Sequence, residues 1–152
     1  MEWFVKAFLK SALAWLALGA TLGAAMALQP AWLAYRPVHL HMNLLGFITM
    51  MISGVGYHVI PRFTGHPLYS RRLAVAHWWL ANIGLALLAT GFALMGAGKD
   101  HALALGAGGV VSAAALLAFV VNLWGTLDGW AAKGPVPPAP SPPARRLPMA
   151  GE

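Results

Sequence analysis

The sequence predicts an all-α integral membrane protein, a four-helix bundle of up-down topology. Three observations carry this reading. Hydrophobic residues make up 59% of the chain and charged residues 9%, against about 25% charged in a soluble domain. The mean hydropathy is +0.67. Four apolar stretches, each long enough for the ~20 residues that a membrane helix needs, are separated by short segments rich in proline, glycine and arginine. With 152 residues the chain holds four or five spans at most and no sizeable extramembrane domain. The expected organisation is a bundle over residues 1–132 and a proline-rich tail over residues 133–152.

The first span is Trp3 to Leu28, with Lys6 and Lys10 one turn apart near its start and an Ala/Gly-rich run behind them. Its apolar run is longer than a signal-peptide core, which favours a retained span. Gly19 and Gly23 form a G-x-x-x-G, a pattern that admits another helix closely. Gln29 to Pro37 reads as a loop with two prolines, and its Trp32 and Tyr35 favour the membrane interface. The second span, Val38 to Pro61, follows. It contains Gly46, Gly54 and Gly56, which leave room for close packing, and Asn43, Thr49 and Ser53, which add hydrogen-bonding capacity.

Pro61 to Arg72 reads as a polar turn. The third span is expected from about Leu73 to Met95, Gly96 to Asp100 as a tight turn, and the fourth span from about His101 to Leu127. The fourth is rich in Gly106, Gly108, Gly109, Ser112 and Ala113. From Lys133 onward proline is too frequent for a helix, and a solvated polyproline-II or disordered tail is expected.

The formal net charge is +6, but the basic residues sit between apolar spans, where they set orientation; no nucleic-acid role follows. Lys6, Lys10, Arg62, Arg71, Arg72, Lys133, Arg145 and Arg146 fall on one side, against Arg36 and Lys99 on the other. Eight against two places both termini in the cytoplasm by the positive-inside rule. His39, His41 and His101 then lie near the outer face, and His58, His66 and His77 near the inner one.

There are no cysteines, which excludes disulfides, thiolate clusters, zinc-thiolate sites and covalent haem attachment through C-x-x-C-H. Any metal must be held by histidine. The stretch Val38 to Pro61 carries His39 and His41 at one end and His58 at the other, and its 22 residues from His39 to Ile60 span ~33 Å on a helix, about one hydrocarbon core; ionisable groups inside a membrane usually have a function. Residues two apart on a helix are turned by about 200°, so His39 and His41 point to opposite sides and do not easily share one metal ion. Such an H-x-H suits two separate planar cofactors, or one within the bundle and one across a subunit interface; neutral imidazole is a common axial ligand for haem iron. The alternative is a pair of interfacial histidines bonded to headgroups or loop carbonyls. His58 and His77 flank the same loop at matching depth and form a second candidate pair, with helix-end hydrogen bonding as its alternative. His101 starts the fourth span at the depth of the H-x-H and is a candidate further ligand. His66 reads as a solvated loop residue.

These residues also carry a resemblance. The H-x-H, the Leu-Gly-Phe after it, the exit Gly54, Tyr57 and Pro61, the loop Gly65-x-Pro-Leu-Tyr-Ser, and the His-Trp-Trp-Leu from His77 together resemble the tenth and eleventh transmembrane helices of the catalytic subunit of C-family haem-copper oxidases and the related nitric oxide reductases. The resemblance covers about one third of the chain. It implies that His39 is the proximal ligand of a high-spin haem and that His41 ligates a low-spin haem from the other side of the helix. It further implies haem b, with its iron, as cofactor and the inner (cytoplasmic) membrane of a prokaryote as location.

The family's active site also needs copper or non-haem iron histidines on other helices, which four spans do not supply. Oxygen reduction by this chain alone is therefore not expected, and no catalytic residue is assigned. The function read from the sequence is b-type haem binding for electron transfer or for binding nitric oxide or oxygen, in a homo-oligomer surrounded by lipid. The small-residue faces of the first and fourth spans and the unpaired ligands support the oligomer. The rival readings are an accessory or assembly subunit of a respiratory complex and a haem- or metal-handling membrane protein.

Overall fold

A computed structural model describes residues 1–132, and every regular element among them is helical. We number the four long helices α1 (Trp3–Leu28), α2 (Pro30–Thr64), α3 (Arg71–Gly96) and α4 (Ala102–Leu127); a short 3-10 turn, Trp130–Ala132, follows. Each long helix is apolar and long enough to cross a membrane. The chain is thus an all-helical, multi-pass membrane bundle, as its composition predicts. The proline-rich tail lies outside the described residues.

The second helix departs from expectation at both ends and in its middle. It starts at Pro30, because a 3-10 turn over Pro30–Tyr35 leads directly into α-helix at Arg36. Pro30 and Pro37 stand in first-turn positions, where a missing N–H costs nothing. At the other end the helix continues through Pro61 to Thr64 and stops on Gly65, whose φ of 69° is the left-handed cap that glycine adopts without strain. Between them, Met42–Thr49 is π-helical. Thr49 fits this wider turn, since its Oγ1 donates to the carbonyl of Leu44, five residues back, at 2.8 Å.

Burial is sorted by polarity in the sense a bilayer demands. Leu13, Leu18, Ile52, Val55, Val110 and Leu117 are exposed, while Ser53, His77, Ser112, Asn122 and Thr126 are buried. The apolar core joins Phe4 and Phe8 of α1 to Met50 and Tyr57 of α2 and Leu85 of α3. Lipid solvates the outer side chains, so burial inside the bundle is left to close packing and internal hydrogen bonds.

Close packing is most direct between α3 and α4. A Cβ added at Gly108 would stand 2.6 Å from the backbone nitrogen of Leu88, and one at Gly91 would stand 2.8 Å from that of Leu105. The two backbones touch, which only glycine allows. Gly106 and Gly109, by contrast, face open space among the described residues. The loop between α2 and α3 is fastened to the end of α4: Ser70 N–H donates to Asn122 Oδ1 at 2.9 Å, and Asn122 Nδ2 donates to the Ser70 carbonyl at 2.9 Å. Ser70 also caps α3 by accepting from the Leu73 N–H at 3.1 Å. An ion pair between Glu2 and Arg71 ties the amino end to the same corner.

Gly108→Val should therefore force α3 and α4 apart and destabilise the bundle by about 1–3 kcal/mol, the usual cost of overpacking. Gly109→Val should change it little. Equilibrium unfolding in detergent micelles checks the pair, and equal stabilities for the two variants would contradict the packing described.

Candidate functional site

His39 and His41 stand at the head of α2, in the α-helical turn between Pro37 and the π-helical segment. Both rings are half-buried. The 200° between them sends one ring to each flanking helix. His39 lies against α1, with Nδ1 2.8 Å from the carbonyl oxygen of Gly19. His41 lies against α3, its ring centroid 4.6 Å from that of Phe92 and tilted by 31°, and its Nδ1 is 2.8 Å from the Pro37 carbonyl oxygen.

The G-x-x-x-G of α1 is what seats His39. A Cβ at Gly23 would stand 2.7 Å from His39 Cε1, and one at Gly19 would stand 2.7 Å from Asn43 Nδ2. Asn43 in turn donates to the His39 carbonyl at 2.8 Å. The motif thus makes room for side chains of the same chain. On α1 the argument for a helix of a second copy loses its basis, since the two glycines are already covered.

The hydrogen bonds decide which ring nitrogen is free. A carbonyl oxygen only accepts, so Nδ1 of both His39 and His41 carries the proton and donates. In the neutral ring Nε2 is then an unprotonated base, the form that ligates a metal, held in orientation by a backbone acceptor. His58 is arranged oppositely. Arg62 Nη1 donates to its Nδ1 at 2.9 Å, and since arginine only donates, the His58 proton sits on Nε2. His58 therefore presents no free Nε2 as long as that bond stands.

The other histidines are placed apart. His77 is 1% exposed, with its Nδ1 3.0 Å from the hydroxyl of Tyr57 and its ring between Phe8 and Phe119, at centroid distances of 4.8 and 5.3 Å. The cavity beside it measures about 20 Å³, far too small for a porphyrin. No hydrogen bond or ring contact joins His58 to His77 among the described residues. His101 bonds through Nδ1 to the Lys99 carbonyl at 2.9 Å and borders a groove with Leu94 and Leu103. Leu94 and Phe92 are two residues apart on α3, so His101 and His41 lie against opposite sides of that helix. His66, expected to be solvated, instead donates from Nδ1 to the carbonyls of Thr126 and Leu127, at 3.2 Å each.

No group of three or more histidine, cysteine, aspartate or glutamate side chains gathers among the described residues. Each imidazole is thus a single donor, which suits an axial position better than a multi-ligand ion site. The partners of the H-x-H were only partly visible in the sequence. The G-x-x-x-G signalled a close approach without saying by what, and no pattern marked Phe92 as the floor under His41.

Ring nitrogen shifts in bilayer samples with labelled histidine test this arrangement. Neutral His39 and His41 should show protonated Nδ1, and His58 protonated Nε2. Gly23→Val should displace the His39 ring and abolish its Nδ1 hydrogen bond. The reverse tautomers would contradict the hydrogen-bond assignment.

No protein-family model matches the chain. It is 42% identical over 53 residues to cytochrome c oxidase subunit 1 of Rhodobacter capsulatus, which is 34% of this chain and 10% of that protein. It is 33% identical over 60 residues to a cytochrome c oxidase subunit 1 of Thermus thermophilus, 38% of this chain and 56% of that protein. With the Cbb3-type cytochrome c oxidase subunit CcoN1 of Stutzerimonas stutzeri it shares 38% identity over 50 residues, 32% of this chain and 10% of that protein. The chain therefore matches about half of one of these relatives and about a tenth of the other two. Over roughly a third of its own length, the chain is thus similar to part of cytochrome c oxidase subunit 1 and of a Cbb3-type oxidase subunit.

Proposed function

We propose that the chain binds b-type haem in the membrane through His39 and His41, and that it serves electron transfer or the binding of a diatomic gas, nitric oxide or oxygen. The observation that carries the reading is the state of the two rings: each has Nδ1 tied to a backbone carbonyl and Nε2 left basic. The donor set fits the group, because neutral imidazole is an axial ligand of haem iron and no thiolate competes. Haem, when bound, supplies one-electron chemistry with two axial ligands, or an open coordination position with one. The chain's own part is to hold each imidazole at a fixed angle, His39 by the Gly19 carbonyl and the glycine seat, His41 by the Pro37 carbonyl and Phe92.

The two rings point to different helices, so each would serve its own haem rather than share one. Among the described residues both rings remain only half-buried, and a second copy would provide a further wall. His101, placed across α3 from His41, is a candidate ligand for a neighbouring copy rather than for its own chain's His41. The location that fits is the cytoplasmic membrane of a prokaryote, with both termini inside according to the charge distribution.

A second reading, an accessory subunit docked in a respiratory complex, draws on the uncovered face of α4. There, among the described residues, nothing lies within 4 Å of a Cβ placed at Gly106 or Gly109, and Leu103, Val110 and Leu117 are exposed. An optical spectrum of protein purified from haem-replete cells separates the two. A Soret band that falls by about half in His39→Ala and in His41→Ala, and disappears in the double variant, is expected for two haems. A colourless protein supports the accessory subunit, and zinc or copper in place of iron supports a metal-handling role. Carbon monoxide reactivity of the reduced protein then reports whether a coordination position is open.

A further inference from the structure

The middle of the bundle contains a polar feature that the haem reading does not use. The small cavity between α2, α3 and α4 is bordered by Leu45, Thr49, His77, Ala81, Ser112 and Ala115, among others. Ser112 is 8% exposed, and its Oγ is buried with no hydrogen-bond partner among the described residues. Serine in a helix commonly satisfies its hydroxyl on the carbonyl one turn back, as Ser53 and Thr126 do here at 2.8 and 2.7 Å. Ser112 does not. On its far side it is pressed against Gly84, where an added Cβ would come within 2.6 Å of Oγ, so the hydroxyl is held at the seam beside the cavity. His77 is likewise half satisfied: its Nδ1 meets Tyr57, and no hydrogen bond to its Nε2 is present among the described residues.

We propose that this cavity binds one water molecule, hydrogen-bonded to both Ser112 Oγ and the Nε2 of His77. The volume, about 20 Å³, exceeds the roughly 10–15 Å³ that a single water requires. Two unpaired polar groups on its wall meet the other requirement, that a buried water have at least two partners. A hydroxyl both donates and accepts, so the water fits either tautomer of His77. The bound water extends the Tyr57–His77 contact into a chain, Tyr57, His77, water, Ser112. At its near end Tyr57 also lines the wide opening beside Arg62, Gly65 and His66, on the side of the α2–α3 loop. Polar continuity then runs from that opening to the centre of the bundle.

The test uses the full chain in lipid bilayers with isotope-labelled histidine rings and solid-state NMR that transfers magnetisation from water protons to ring nitrogens. His77 should receive water magnetisation despite its burial. In Ser112→Ala the transfer should fall at least threefold, and in Ser112→Thr, which keeps the hydroxyl, it should persist. The Trp78 indole N–H, bonded to Ser11 Oγ at 3.1 Å, serves as the folding control in each sample. Absence of water transfer to His77 in the unaltered chain, or equal transfer in Ser112→Ala, would overturn the proposal.

Discussion

Inside a bilayer no solvent will satisfy a polar group, and every other feature of this bundle depends on that constraint. It is met in three ways. Threonine and serine hydroxyls fold back onto their own helix, as at Thr21, Ser53 and Thr90. Indole N–H groups cross between helices, Trp15 to Asn82 and Trp78 to Ser11, at 3.1 Å each. His39, His41, His66 and His101 use backbone carbonyls. This last solution has a chemical by-product, because a ring that donates from Nδ1 must leave Nε2 unprotonated when neutral. A requirement of folding thereby prepares His39 and His41 as bases.

Glycine is the material through which the helices come close enough for this to happen. At the α3–α4 seam it brings backbone against backbone; at Gly19 and Gly23 it brings a side chain against backbone. Gly46 does the same inside the π-helical segment, where an added Cβ would stand 2.5 Å from Trp15 Cβ and 2.9 Å from Leu85 Cδ2. That segment follows His41 immediately. It re-phases α2 below the H-x-H, so the faces carrying His39 and His41 do not continue in simple α-helical register to Tyr57 and His58.

Much of the fold was legible because the signals are long. Windows of 20 apolar residues mark the four spans, and α1 agrees with its expected limits. The opposite facing of His39 and His41 was legible too, since it depends only on 100° per residue over two residues. What escaped has physical reasons. Pro61 reads as a helix end, yet near a helix end in a membrane the freed carbonyl is tolerated and the helix ran on to Gly65. No residue type announces a π-turn. His58 and His77 matched in depth, which sequence spacing reports, but depth says nothing of rotation, and one ring faces Arg62 while the other is enclosed by Phe8 and Phe119.

The bond between Ser70 and Asn122 has a consequence for how the chain is made. The α2–α3 loop precedes by 52 positions the side chain that satisfies its backbone. Until α4 is in place, the Ser70 N–H and carbonyl at that corner lack the partner that they have in the folded bundle and are left to water at the membrane surface. Arrival of Asn122 withdraws that corner from water and draws α4 alongside α3, where the glycine seam can close. Helix α4 is thus the one that locks the order of α1, α2 and α3, and without it the loop would be left unfastened.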